Sequence, residues 1–168
     1  NQRFGDTFVV PAATFPTVGA RVMDLQQPTR KMSKSEESPQ GTVLVLDPPA
    51  TIAKKIKSAV TDSDTEVRHD PEHKPGVSNL LDLFAVATGS TLADAQAHFA
   101  GSGYGALKAT VADAVVEFLR PLQERYAVLE ADPAEVDRRL AAGAAAASEI
   151  ANGVLARATS AAGLLARP

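Results

Sequence analysis

Beyond residue 47 nearly every stretch of this chain repeats its apolar residues at helical spacing, which commits most of its length to α-helix. Ile52, Ile56 and Val60 form an i, i+4, i+8 row behind Pro49 and Thr51, with Lys54, Lys55 and Lys57 on the opposite face. A second helix is expected from about Val77 to Thr88, with Leu80, Leu81, Phe84 and Val86 as its apolar content and Gly89 as its stop. Thr91 with Asp94 has the form of a capping box for a short third helix ending near Gly101. After Gly103-Tyr104-Gly105 a long helix carries Leu107, Val111, Val115, Phe118, Leu119 and Leu122, and Pro121 inside it predicts a kink or a break. Asp132-Pro133-Ala134-Glu135 opens a last, alanine-rich helix to about Leu165, with Asp at the N-cap and Pro at the first helical position. Its small side chains predict close packing against a neighbour. The fold class is therefore mostly α.

Before residue 47 the pattern differs. Residues 6–10, 19–25 and 42–46 are short β-prone runs punctuated by Pro and Gly. Between the last two lies a polar stretch, residues 26–40, with Pro28, Pro39, three Lys or Arg and four Ser or Thr. Loops of this length without structure of their own are usually functional or mobile. Residues 61–75 read as a polar linker.

Bulk properties exclude several classes of function. A net charge of −3 rules out a uniformly basic nucleic-acid binder while leaving room for local basic patches. With no cysteine, neither disulfides nor thiolate metal sites can form. No segment approaches the roughly 20 apolar residues of a membrane span. The start, Asn1-Gln2-Arg3-Phe4-Gly5, lacks Met and reads like the end of a helix, so the chain is expected to be a fragment.

The chemistry is concentrated in Lys31-Met32-Ser33-Lys34-Ser35. Two ammonium groups three residues apart, interleaved with hydroxyls, can straddle the β- and γ-phosphates of ATP. By composition alone such a cluster is usually a solvated surface loop. The full five-residue form is more specific: it is the signature of class I aminoacyl-tRNA synthetases, and here it follows a predicted strand. A P-loop hydrolase is excluded, because residues 19–35 lack the Gly-x4-Gly-Lys-Ser/Thr arrangement.

The approach Gly19-Ala20-Arg21-Val22-Met23-Asp24-Leu25 through Pro28-Thr29-Arg30 resembles that of bacterial-type tryptophanyl-tRNA synthetases rather than the tyrosyl enzymes. So do Lys55-Ile56-Lys57-Ser58-Ala59-Val60-Thr61-Asp62-Ser63, Lys74-Pro75-Gly76-Val77-Ser78-Asn79-Leu80-Leu81, Gly103-Tyr104-Gly105 and the run from Phe118 through Tyr126. The resemblance implies that residues 1–46 are the last part of a Rossmann (α/β) catalytic domain, and residues 47–168 a helical anticodon-recognition region. It implies ATP-dependent activation of L-tryptophan, transfer to tRNA(Trp), Mg²⁺ bound with ATP, a homodimer and a cytoplasmic location. Lys31 and Lys34 would contact the triphosphate, Met32, Ser33 and Ser35 would complete the loop, and Val22 would offer backbone to the adenine. Gly41 would let the loop swing. The family's histidine-containing phosphate motif is not in the chain, since His69, His73 and His98 lie in other contexts. Alone, these 168 residues are expected not to form tryptophanyl-adenylate.

Lys54, Lys55 and Lys57, with Arg68, are candidates for tRNA phosphate contacts, although a solvated helix face explains them equally well. Arg120, Gln123, Arg125 and Tyr126 could face unpaired bases, as could Arg138 and Arg139 on the next helix; the sequence does not choose between them. His69 and His73 have zinc-ligand chemistry, but Pro71 between them argues for a turn, and no metal site is expected. Besides the ligase, a second class of function fits the helical part: an RNA-binding module without catalysis.

Overall fold

Proline at the first helical turn, where a missing N–H costs nothing, starts three of the five helices among the described residues: α1 (Pro49–Lys57), α2 (Pro75–Thr88) and α5 (Pro133–Ala161). The other two are α3 (Leu92–His98) and α4 (Tyr104–Glu130). The computed structural model describes residues 1–33, 35 and 39–164. They divide into two compact units, Phe15–Arg125 and Asn1–Thr14 with Tyr126–Pro168.

The Phe15–Arg125 unit holds the core. α1 turns Ile52 and Ile56 fully inward, and α2 buries Val77, Leu80, Leu81 and Phe84. Leu107, Val111 and Val115 of α4 complete the same cluster. Each such side chain contributes roughly 1.5–3 kcal/mol by leaving water. Phe84 meets Phe99 edge-on at 4.9 Å between ring centroids, and His98 stacks on Phe84 at 5.1 Å. α2 ends where expected, at Gly89, whose φ of +67° lies in the left-handed region. At Gly76 the need is steric: a Cβ there would lie 2.1 Å from the Val60 carbonyl oxygen.

Caps follow the sequence. The Thr91 hydroxyl accepts from the Asp94 N–H at 3.2 Å and donates to the Asp94 carboxylate at 2.6 Å. The Asp132 carboxylate accepts from the Glu135 N–H at 3.0 Å.

Several expectations change. α1 ends at Lys57, so Val60 leaves its apolar row and is 45% exposed; its N–H donates instead to the Leu25 carbonyl at 2.7 Å. α4 continues through Pro121, so of the kink or break expected there the break is not made; Pro121 lies on an exposed stretch with Glu117, where water can meet the carbonyl that proline leaves unpaired. α5 buries none of its residues, with Leu140, Ile150 and Leu155 at least 60% exposed. The β-prone runs do not form strands: a strand needs a hydrogen-bonded neighbour, and among the described residues one antiparallel bridge, Met23 to Lys31, is present.

Residues 61–75 form no free linker. Buried Lys74 donates to Asp64 at 2.7 Å, to the Tyr104 hydroxyl at 3.0 Å and to Asp62 at 3.3 Å, while Tyr104 donates to Asp62 at 2.6 Å. Further along, the Ser78 hydroxyl accepts from the Asp70 N–H and the Gln96 side chain from the His69 N–H, both at 2.8 Å. The hydrogen bond from Lys74 holds the Asp64 carboxyl down to about 2 and, with Tyr104, pushes the Lys74 ammonium upward. At Asp62 burial works to raise the carboxyl, but the Tyr104, Asp64 and Lys74 donors together lower it.

Candidate functional site

The signature opens at the end of a tight hairpin. The Asp24 N–H donates to the Arg30 carbonyl at 2.8 Å and the Met32 N–H to the Val22 carbonyl at 2.9 Å, on either side of the Met23–Lys31 bridge. The turn between is capped by buried Asp24, whose Oδ1 accepts from the N–H groups of Gln26 at 2.7 Å and Gln27 at 2.9 Å. Asn79 of α2 clamps the hairpin from behind: its Oδ1 accepts from the Met23 N–H at 2.9 Å and its Nδ2 donates to the Met23 carbonyl at 2.8 Å. A buried amide satisfied at both ends fixes one orientation.

The chain returns from the loop through Gly41, whose carbonyl accepts from the Leu25 N–H at 2.9 Å. A Cβ on Gly41 would lie 2.1 Å from the Asp24 carboxylate oxygens. Close approach is therefore what the structure demands of this glycine. Thr42 follows, buried, with its hydroxyl donating to the Ser33 carbonyl at 3.0 Å.

Of the predicted site residues, Val22, Lys31 and Met32 are brought together by the hairpin. Lys31 is exposed, Met32 and Val22 are half-buried, and both of the latter line an apolar cavity of about 220 Å³ shared with Val43, Leu83 and Leu119. The Ser33 hydroxyl accepts from the Ser35 N–H at 3.3 Å. Lys34 lies outside the described residues.

The three lysines of α1 separate. Lys54 and Lys57 are exposed, but Lys55 turns inward and is 7% exposed. Its ammonium contacts the Asp47 carboxylate at 2.6 Å and the Thr42 carbonyl at 2.7 Å. The single basic face read from the sequence thus holds two lysines. The third is internal because Asp47 and Thr42, eight and 13 positions back, offer it oxygens.

The candidate base-reading residues also differ among themselves. Gln123 of α4 donates to the carbonyls of Val45 at 2.8 Å and Asp47 at 3.0 Å, and Arg120 pairs with Glu117. In the other unit, Tyr126 donates to Glu130 at 3.1 Å, and Arg138 and Arg139 both contact Glu135. His69 faces Asp82 at 3.4 Å and His73 faces Asp70 at 3.1 Å, so the two rings engage different carboxylates.

Sequence reading missed Asp24, Asn79, Thr42 and Asp47. For Asn79 a signal existed: an amide set beside Leu80 and Leu81 on an apolar helix needs a specific partner.

Comparison with known proteins agrees with this geometry. The family model for tRNA synthetases class I (W and Y) matches residues 1–120. The tryptophan–tRNA ligase of Oceanobacillus iheyensis is 48% identical over 165 residues, covering 98% of this chain and 50% of the relative. The crystal structure of tryptophanyl-tRNA synthetase from Mycoplasma pneumoniae superposes with a TM-score of 0.82 at 29% identity, covering 89% of this chain and 45% of that one. The Campylobacter jejuni enzyme complexed with ADP and tryptophan gives a TM-score of 0.61 at 27% identity, over 98% of this chain and 50% of that one. This chain spans about half the length of the curated relatives it matches. With the signature, its hairpin and a family match over residues 1–120, the chain belongs to the class I tRNA synthetases of the tryptophan and tyrosine type.

Proposed function

We propose that this chain carries the ATP-phosphate loop and a tRNA-contacting region of a tryptophan–tRNA ligase. The observation that carries the reading is the Lys31–Ser35 signature seated on the Val22–Met32 hairpin, in a chain so similar to proteins named tryptophan–tRNA ligase. In the reaction, a carboxylate oxygen of L-tryptophan attacks the α-phosphorus of ATP. The bond from that phosphorus to the oxygen leading to the β-phosphate breaks, and pyrophosphate leaves with the growing negative charge. Lys31 and Lys34 meet that charge, each lowering the barrier by a few kcal/mol. Met32, Ser33 and Ser35 complete the contacts, and Val22 offers backbone to the adenine. A hydroxyl at the 3′ end of tRNA(Trp) then attacks the activated carbonyl and AMP departs. Mg²⁺ enters as the complex of the ATP phosphates.

In this reading residues 1–46 are the last part of the catalytic domain and residues 47–168 the anticodon-recognition region of a cytoplasmic homodimer. Among the described residues no helix is long and apolar enough to cross a membrane.

The test is tryptophan-dependent exchange of pyrophosphate into ATP. An enzyme of the relatives' full length carrying these residues should catalyse it, and tyrosine should not substitute for tryptophan. The 168 residues by themselves should give no tryptophan-dependent rate, because the histidine-containing phosphate motif is not among them. A rate from the short chain would contradict that assignment of labour.

In this reading Lys54 and Lys57 are the α1 residues that meet tRNA phosphates, a role their exposure supports. Reversing both charges (Lys54→Glu with Lys57→Glu) should weaken tRNA binding about tenfold at low salt and flatten its salt dependence. Pyrophosphate exchange should be unchanged. Binding and salt slope equal to those of the unsubstituted enzyme would remove α1 from the tRNA surface. Lys55 is left out of this pair because reversing it would set two carboxylates together at Asp47.

A further inference from the structure

The segment leaving the signature is held far more firmly than a surface connection requires. Gly41 is pinned by the Leu25 N–H, and the Asp47 carboxylate accepts from the Leu44 N–H at 2.9 Å. Gln123 reaches from α4 to the Val45 and Asp47 carbonyls. Inside this frame the Lys55 ammonium joins the Thr42 carbonyl to the Asp47 carboxylate with its side chain 8% exposed. Taking an ammonium out of water is costly, and a buried ion pair is often matched or bettered by apolar residues of similar volume. Stability therefore gives little reason for a lysine here, whereas fixing the Thr42 backbone does. Once fixed, Thr42 turns its hydroxyl across the neck of the loop onto the Ser33 carbonyl at 3.0 Å. Ser33 lies in the middle of the signature, one residue past Met32, where the hairpin bonding ends.

We propose that Thr42 is a positioning residue for the ATP-phosphate loop: anchored by Lys55, it latches the outgoing segment to Ser33 and sets where the loop meets the triphosphate. The proposal rests on the ATP reading given above. Thr42 touches no reacting atom. It acts through Ser33, holding that residue's backbone in the free protein where ATP would otherwise have to organise it on binding.

The experiment uses an enzyme of the relatives' full length bearing Thr42→Val, which removes the hydroxyl, and Thr42→Ser, which keeps it. Thr42→Val should raise KM for ATP in pyrophosphate exchange about fivefold, the worth of one hydrogen bond, with KM for tryptophan unchanged. Without ATP, amide hydrogen exchange in residues 41–46 should quicken in Thr42→Val. Thr42→Ser should restore both. Unaltered ATP dependence in Thr42→Val overturns the proposal. So does a joint rise in the ATP and tryptophan constants with a lowered melting temperature, or a Thr42→Ser enzyme no better than Thr42→Val. Failure of the underlying ATP reading would look different: the unsubstituted enzyme would already lack tryptophan-dependent exchange.

Discussion

Replacing Lys31 with alanine, in an enzyme of the relatives' full length, is expected to slow tryptophan-dependent pyrophosphate exchange about a hundredfold. The magnitude follows from the charge that pyrophosphate gains as it leaves. A preorganised donor meeting such charge is worth about 3 kcal/mol, and that energy corresponds to a factor of roughly 100 in rate. The fold should not respond, since Lys31 is exposed and its part in the hairpin is made by backbone in the bridge to Met23. Lys31→Arg keeps the charge but spreads it over a planar fork, so it should recover part of the rate. Steady-state exchange at saturating ATP measures the effect, with urea unfolding as the control on stability. A Lys31→Ala enzyme within about twofold of the unsubstituted rate would exclude Lys31 from the phosphate contacts.

The largest structural effect should come from Lys74→Met, which is expected to destabilise the Phe15–Arg125 unit at neutral pH by more than the loss of one neutral hydrogen bond, about 1 kcal/mol. Lys74 is 3% exposed and holds Asp62, Asp64 and Tyr104 around one ammonium. Methionine fills the space of the stem but leaves those carboxylates without their counter-charge. Tyr104→Phe should be milder, about 1 kcal/mol, because it removes one neutral donor. Urea unfolding measures both, and a Lys74→Met loss below about 1 kcal/mol would mean that solvent replaces the ammonium without penalty.

The same cluster gives a pH signature. Asp62 and Asp64 are both held below the ordinary carboxylate value, so their contribution is complete above about pH 4. It should be lost as pH falls towards the Asp64 value of about 2. The raised pKa of Lys74 works in the opposite sense: its contribution is complete below the ordinary lysine value and is lost only in strong alkali. Between pH 4 and 2 Lys74→Met should therefore flatten the acid decline.

Much of the architecture was legible in the sequence because its signals are local. Pro49 and Pro133 start helices, Thr91 and Asp132 cap them, and Gly89 stops one through a backbone conformation that glycine adopts easily. Each device acts within about one helical turn, so four or five adjacent residues suffice to recognise it. The signature was legible for a different reason: its five letters are specific, and the family match agrees with them.

Where the signals were local but the answer was not, the structure differed. Pro121 carries a strong helix-breaking cue, yet α4 runs through it at an exposed position. Residues 42–46 have strand composition, yet what holds them is side chains reaching in from Lys55, Asp47 and Gln123.

The helices, their caps and the Lys31–Ser35 signature are written in local sequence, since each depends on neighbours along the chain. That Lys55 lies inside while Lys54 and Lys57 stay outside depends on contacts made across the fold. Helical spacing sets Lys55, three residues after Ile52, nearer the apolar row than Lys54 or Lys57, but says nothing of whether acceptors wait there. A buried ammonium is tolerated where acceptors wait for it, and Lys55 finds Asp47 and Thr42 only after the chain has returned from the loop and folded α1 against it.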